Sequence, residues 1–214
     1  MKLSEMLHKT EGKIFFVGVS LTILSFLGIF FIYLNSVEFG SQIVGIIGTH
    51  LLFGRAAGLA FGYAVHLGQL DIIVVNILIE VILVLLIYPL FVFSYENLFE
   101  IKFLNAFFRK VETFKNNHYD KFDQYGIYGL FLFVWLPFWM TGPVVGAIIG
   151  FLIGLRHRTI IVVVTLGTSF AIIIWALFLN ELSSFLLTFG SSAIWVLLLI
   201  IVAVTLLLKL KRKD

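Results

Sequence analysis

Long runs of apolar residues alternate with short polar segments along most of the chain. Four of these runs are close to the roughly 20 residues that an α-helix needs to cross a bilayer. The four predicted transmembrane helices are residues 14–34, 72–94, 159–180 and 191–208. No small-residue cleavage site follows the first run, which is also too long for the core of a signal peptide. We therefore expect it to be a retained membrane anchor.

Two further apolar stretches, residues 43–68 and 126–155, are interrupted near their middles by residues that do not suit a simple span. The first contains His50 and Arg55, and the second contains Thr141-Gly142-Pro143. Each stretch is either one long helix or a re-entrant helical hairpin, which returns to the side of the membrane from which it entered.

The basic residues distinguish between these alternatives, because Lys and Arg concentrate in the cytoplasmic loops of membrane proteins. If both stretches are hairpins and the N-terminus is cytoplasmic, fourteen of the fifteen basic residues lie inside, and the fifteenth is Arg55. If residues 126–155 crossed the membrane, Arg156 and Arg158 would lie outside. We therefore expect two hairpins in a multi-pass protein of the inner (cell) membrane, with both termini in the cytoplasm.

Glycines recur at every fourth residue in both interrupted stretches, and the two sets superpose at an offset of 88 residues. The sets are Gly54, Gly58 and Gly62, and Gly142, Gly146, Gly150 and Gly154. Each predicted unit is a hairpin followed by a spanning helix, and the two units enter from opposite sides. Such an inverted repeat is typical of transporters. Alternatively, the glycines serve only to let helices pack closely, with no site nearby.

The longest polar segment is residues 95–124, where large apolar residues recur near helical spacing opposite Lys and Arg. We interpret it as an amphipathic helix on the cytoplasmic leaflet. The expected fold is therefore an all-α polytopic membrane protein, with residues 1–214 forming a single integral membrane domain.

Composition agrees with a membrane protein, because 61% of the residues are hydrophobic and only 13% are charged. Soluble domains carry about 25% charged residues, and a 214-residue chain cannot bury so much apolar surface in one core. The chain has no cysteine, and its net charge of +3 is too small and dispersed to indicate nucleic-acid binding. We expect no metal and no cofactor. Motifs of intramembrane hydrolases and nucleotide-driven pumps are absent, so we do not expect an enzyme.

The tips of the two hairpins form the predicted binding site. Pro143 suits the first position of a helix, and Thr141 can accept a hydrogen bond from the free amides there. A helix that begins inside the membrane presents its positive end and open N–H groups to an anion. Arg55 occupies the position equivalent to Pro143. We therefore expect Arg55, Thr141, Gly142 and Pro143 to hold a phosphate or a carboxylate.

Glu80 lies near the centre of residues 72–94, with Asn76 one turn before it on the same helix face. An ionisable residue at that depth costs roughly 2.5–3.5 kcal/mol on insertion scales and therefore indicates function. Glu80 either binds and releases a proton or forms a static ion pair with Arg55. Similarly, His50 is either a proton shuttle or a hydrogen-bonded or interfacial histidine.

Residues 125–155, YGIYGLFLFVWLPFWMTGPVVGAIIGFLIGL, resemble the second half of the bacterial and archaeal small multidrug export family. Its members carry a similar run of YG..GL..FV..P, then TG...GA and a basic turn. The resemblance extends over about residues 48–178. In the first half, Arg55 corresponds to the arginine of the family's Glu-x-Arg, whose acidic residue is replaced here by Phe53, and Asn76 corresponds to a family asparagine.

This family resembles the DedA/VTT-domain membrane proteins, which are built from paired re-entrant hairpins and are implicated in moving lipids or lipid carriers. The resemblance implies a transporter or lipid translocase for an anionic amphiphile such as a phosphorylated lipid, with proton coupling as a further hypothesis. The alternatives are a membrane-organising factor that transports nothing and an exporter of small molecules or drugs. Membrane lipids are the expected partners, and the glycine faces equally suit a homo-oligomer.

Overall fold

The structure, a computed structural model, describes residues 9–98, 119–135 and 142–189. Over these ranges the chain forms seven α-helices and no strand, which confirms the expected all-α fold. The helices are α1 (Thr10–Asn35), α2 (Val37–Phe53), α3 (Arg55–Ala64), α4 (Gln69–Leu98), α5 (Tyr119–Trp135), α6 (Gly142–Leu152) and α7 (His157–Phe189).

The chain divides into two compact units, Met1–Ala176 and Leu177–Asp214, where the sequence analysis expects one domain. The described part of the second unit is residues 177–189, which are helical.

Three helices are long and apolar enough to cross a membrane: α1, the part of α4 over Gln69–Tyr95 and the part of α7 over His157–Leu182. They cover three of the four predicted spans, and the fourth, residues 191–208, lies outside the described residues. Two predicted helix ends differ from the structure, because α4 continues to Leu98 and α7 to Phe189.

The predicted amphipathic helix over residues 95–124 overlaps two described helices at its ends. Residues 95–98 are the last turn of α4, and α5 begins at Tyr119, so residues 119–124 also belong to a neighbouring helix. Residues 99–118, the centre of that prediction, lie outside the described residues.

Helix α1 buries very little of its surface against the rest of the protein. Its buried residues are Glu11, Gly12 and Gly18, whereas large side chains such as Phe26 are 70% exposed. Gly18 packs against α4, where a Cβ atom on this glycine would lie only 2.9 Å from Leu85 Cβ. A helix that is apolar all round and so little covered by protein requires lipid around it.

Helices α2 and α3 form an antiparallel hairpin that reverses at Gly54, within the predicted stretch 43–68. The Gln42 side chain donates to the Val65 carbonyl, and a Cβ on Gly45 would meet the Phe61 ring, so the two helices run side by side. Gly54 adopts φ 88°, a conformation that glycine reaches without the steric cost of a side chain. The turn therefore makes Arg55 the first residue of α3.

Helices α5 and α6 pack against each other in the second interrupted stretch, although α5 begins at Tyr119 rather than near residue 126. A Cβ on Gly146 of α6 would lie 2.5 Å from the Val134 side chain of α5, so only glycine allows this contact. Residues 136–141, which include Thr141, lie outside the described residues. Gly142 and Pro143 are buried at the start of α6.

The turn after α3 and the turn after α6 lie 88 residues apart and contain the same backbone hydrogen bonds. Leu67 N–H donates to the Gly62 carbonyl at 3.1 Å, and Leu155 N–H donates to the Gly150 carbonyl at 3.0 Å. Both turns contain a residue with positive φ at the equivalent position, His66 at 58° and Gly154 at 82°. This geometry is the Schellman motif that ends many helices. Helices α4 and α7 then begin at equivalent positions, residues 69 and 157.

Packing around the two long helices also follows the offset. A Cβ on Gly62 would lie 2.7 Å from Ile72 of α4, and a Cβ on Gly150 would lie 3.1 Å from Ile160 of α7. Ile72 and Ile160 are both fully buried. The main apolar core is built by α4, α5, α6 and α7, and its buried members are Val84, Tyr88, Val92, Leu130, Val134, Ala147, Leu155, Ile160 and Val164.

Candidate functional site

Arg55 is the buried cation at which the two interrupted stretches meet. Its side chain is 6% exposed; Nη2 donates to the Val134 carbonyl of α5 at 3.1 Å, and Nη1 donates to Thr168 Oγ1 of α7 at 3.5 Å. A Cβ atom on Gly142 would lie 3.8 Å from Nη2, so the guanidinium is also next to the N-terminus of α6. The structure thus brings Arg55 and Gly142 together, as the sequence analysis expects of the two hairpin tips.

Arg55 occupies an electrostatically unfavourable place in its own helix. A cation in the first turn faces the positive end of the helix dipole, which costs about 0.3–1 kcal/mol. The Val134 carbonyl, at the opposite, C-terminal end of α5, offsets this cost. Burial disfavours the charged guanidinium, and the negative charge of Glu80 offsets part of this cost. An additional anion at this point is attracted by the guanidinium and by the N-termini of α3 and α6, whereas the Glu80 charge opposes it.

A second buried cluster joins α2 to α4 through His50, Asn76 and Glu80, all at most 3% exposed. His50 Nδ1 lies 2.7 Å from Asn76 Oδ1, and His50 Nε2 lies 3.5 Å from Glu80 Oε1. The sequence analysis leaves a static Arg55–Glu80 pair open. In the described part of the chain, Glu80 Oε1 lies 3.5 Å from His50 Nε2, and the Glu80 charge also acts on Arg55.

The hydrogen bonds of Asn76 determine which His50 nitrogen carries a proton. Asn76 Nδ2 donates to the Ile72 carbonyl at 2.7 Å, which leaves Oδ1, an acceptor, facing His50. His50 Nδ1 must then be the donor. His50 Nε2 faces the Glu80 carboxyl at 3.5 Å, which is longer than a typical hydrogen bond. The hydrogen bonds therefore run from His50 through Asn76 to the Ile72 carbonyl, and Glu80 lies on the other side of the His50 ring.

The close-packing glycines also position these side chains. A Cβ on Gly58 would lie 2.6 Å from Asn76 Oδ1 and 2.9 Å from His50 Cβ, so Gly58 brings α3 against the cluster. Gly62, Gly146 and Gly150 make the helix contacts described above, whereas Gly54 has a conformational role. The glycines therefore allow close helix packing and also help to position the polar side chains.

A third polar cluster was not expected from the sequence. His157, the first residue of α7, receives or donates a 2.6 Å hydrogen bond with Tyr88 Oη of α4, and its other nitrogen lies 2.8 Å from Glu11 Oε1 of α1. Glu11 is 8% exposed. Thr168 was missed as well, although it stands 88 residues after Glu80 and the repeat could have identified it. Among the described residues, no group of three or more His, Asp or Glu side chains could hold a metal ion.

The long apolar helices, the glycine-packed helical hairpin and the buried ionisable side chains define a helical membrane protein with an internal polar site. Residues 55–174, more than half of the chain, match the family described as "Putative small multi-drug export protein". The chain belongs to this family, as the resemblance of its second half predicts. The comparisons with curated proteins and with solved structures give no match.

Proposed function

We propose that this protein is a non-enzymatic membrane transporter that binds an anionic amphiphile, such as a phosphorylated lipid, at Arg55. The observation that carries the proposal is the burial of Arg55 beside the first residue of α6. A phosphate at this point would accept from both the guanidinium and the open N–H groups of a helix N-terminus. It would replace the Val134 carbonyl and the Thr168 hydroxyl, which are weaker, uncharged acceptors.

The proposed topology has two inverted repeats, each a re-entrant hairpin followed by a spanning helix, with both termini in the cytoplasm. It is supported by the recurrence of the helix–turn–helix geometry at the 88-residue offset and by the distribution of the basic residues. Irregular backbone at membrane depth is tolerated only where protein or a wet cavity satisfies it. The Gly54 turn and the start of α6 supply two such places, and a substrate site between them follows from this arrangement.

The buried contact between two ionisable side chains, His50 of α2 and Glu80 of α4, supports proton coupling of this transport. Glu80 acts electrostatically on the Arg55 cation. Loss of a proton from this pair would add one negative charge near Arg55, which would weaken the attraction of the site for an anionic substrate. Proton release and substrate release are therefore linked in the same direction. The relationship to DedA/VTT-domain proteins that the sequence suggests agrees with a lipid-like substrate.

The decisive experiment measures binding of fluorescent short-chain phosphatidic acid to the purified protein in detergent, followed by its movement across proteoliposomes. We expect Arg55→Ala to weaken binding by about ten- to a hundredfold, the effect of losing hydrogen bonds to a charged group. Arg158→Ala removes an exposed arginine and is the matched control, which should bind normally. Equal binding and movement by Arg55→Ala and the wild type would refute the proposal. Competition by inorganic phosphate separates head-group recognition from recognition of the acyl chains.

Two alternative functions give different results in related assays. The family description favours export of small molecules, and a resistance assay on a deletion strain, complemented with wild type or Glu80→Gln, tests it. A non-transporting, membrane-organising factor would use Arg55 and Glu80 only to hold its fold. In that case Arg55→Ala lowers the thermal stability of the protein, whereas the wild type and Arg55→Ala bind short-chain phosphatidic acid equally weakly.

A further inference from the structure

Both described acceptors of Arg55 belong to the second half of the chain, and both have counterparts in the first half. Subtracting the 88-residue offset from Val134 and Thr168 gives Ile46 and Glu80. All four positions are buried: Ile46, Val134 and Thr168 are fully buried, and Glu80 is 3% exposed. Thr168 and Glu80 are therefore equivalent, buried, oxygen-bearing side chains, whereas the Ile46 carbonyl lies inside α2 and already accepts from Thr49 Oγ1.

The counterpart of Arg55 itself is Pro143, which carries no side-chain donor and no backbone N–H. The site therefore contains one guanidinium in contact with Thr168, and the equivalent residue Glu80 acts on it electrostatically. The contact to Thr168 is long, at 3.5 Å, so it holds the guanidinium only weakly. Glu80, on the other side, is close enough for its charge to act on Arg55, and it is itself held by His50.

We propose that Thr168 is a positioning residue for transport, and that Arg55 exchanges between Thr168 in one conformation and its repeat counterpart Glu80 in the other. This inference rests on the proposed function. In inverted repeats, the two halves exchange their conformations when access alternates between the sides of the membrane. An arginine that changes partners from one half to the other links that exchange to the charge of the binding site. The structure holds the Thr168 arrangement.

The test uses the natural absence of cysteine to introduce single reporters at two equivalent, half-buried positions close to the turns, Ala57→Cys and Val145→Cys. Each is labelled in sealed proteoliposomes with a membrane-impermeant maleimide, without substrate. Thr168→Val removes one acceptor and favours the Glu80 arrangement, whereas Glu80→Gln favours the Thr168 arrangement. Losing one such hydrogen bond shifts the populations by about fivefold.

We expect Thr168→Val to raise the labelling rate at one reporter and lower it at the other, and Glu80→Gln to do the reverse. Thr168→Ser keeps the hydroxyl and should label like the wild type, and so should Thr165→Val, the matched control on the same helix. If Glu80→Gln does not fold, the labelling rates of Thr168→Val and Thr168→Ser still test the exchange, because only Thr168→Val should change the two reporters in opposite directions.

Shifts in the same direction for Thr168→Val and Glu80→Gln, or rates equal to the controls, would overturn the exchange. This result is separable from failure of the proposed function. Substrate binding that depends on Arg55 but shows no reciprocal labelling refutes only the exchange of partners. Reciprocal labelling without binding of phosphatidic acid refutes only the substrate.

Discussion

Replacing Gly58 by alanine tests whether the glycine repeat builds the polar cluster or is only a feature of apolar packing. The new Cβ would lie 2.6 Å from Asn76 Oδ1, 2.9 Å from His50 Cβ and 3.3 Å from His50 Nδ1. Both residues are buried on neighbouring helices, so the added methyl group cannot be accommodated by moving the far end of a flexible side chain. Either α3 moves away from α4 or the hydrogen bond between His50 and Asn76 breaks.

The loss of stability expected for Gly58→Ala follows from the cost of moving the helix and the cost of breaking the hydrogen bond. Inserting a methyl group into a packed core costs about 1–3 kcal/mol, and a lost hydrogen bond adds about 0.5–1.5 kcal/mol. Alanine in a helix recovers at most about 1 kcal/mol relative to glycine. We therefore expect Gly58→Ala to lower the free energy of unfolding by about 1–3 kcal/mol. For a protein of this size the apparent Tm falls by about 2–4 °C for each kcal/mol.

The assay is thermal unfolding of the purified protein in one detergent, at one heating rate for all variants. Gly48→Ala on α2 is the matched control, because no atom lies within 4 Å of its new Cβ and alanine favours the helix. A second pair repeats the comparison in the other half, with Gly146→Ala crowding Val134 and Gly129→Ala placed in open space. If Gly58→Ala melts at or above the temperature of Gly48→Ala, the close approach of α3 to the cluster is wrong.

Three further substitutions test single features of the structure in the same melting assay. Tyr88→Phe removes the hydroxyl that contacts His157 and should cost about 0.5–1.5 kcal/mol; unchanged stability would contradict this contact. His66→Gly should stabilise by up to about 1 kcal/mol, since His66 has φ 58° and glycine reaches this region freely; a lower Tm would contradict the Schellman turn. Among the described residues, Trp135 Nε1 is buried without a hydrogen-bond partner. Trp135→Phe removes this unpaired N–H, which favours the variant, but it also leaves a space where the larger ring was, so the net change should stay within about 1 kcal/mol. A loss of more than about 3 kcal/mol would exceed the packing cost and would contradict an unpaired Nε1.

The fold was predictable where local chemistry determines it. Gly54 ends a helix through its backbone conformation, and the apolar runs are long enough to identify helices α1, α4 and α7. The ends of these helices were less predictable, because α7 continues through polar residues such as Glu181 that look like a loop. A helix end depends on packing and on capping partners that lie elsewhere in the chain.

The partners of the buried charges could not be predicted from their positions in the sequence. The charges of Arg55 and Glu80 both interrupt apolar runs, which makes a pair between them one alternative, but the sequence does not reveal that His50 lies 3.5 Å from Glu80. That contact depends on how α2 and α4 pack together, and Gly58 of α3 lies close to His50 and Asn76 in this region. Thr168 is uncharged, so a search for charged residues in the apolar runs does not find it. Its position 88 residues after Glu80 is the feature of the sequence that identifies it.

Equivalent positions in the two halves of the chain are buried to a similar extent, but they carry side chains of different chemistry. On α4, residues Asn76, Glu80 and Tyr88 follow one buried face, and their counterparts on α7 are Val164, Thr168 and Ala176, all fully buried. Shape is therefore equivalent in the two halves, whereas the groups that can hold charge or protons are concentrated in the first. The second half contributes a helix that begins at Gly142-Pro143 beside Arg55. A substrate bound between the halves would meet the charge of one and the helix N-terminus of the other, so neither half alone forms the site.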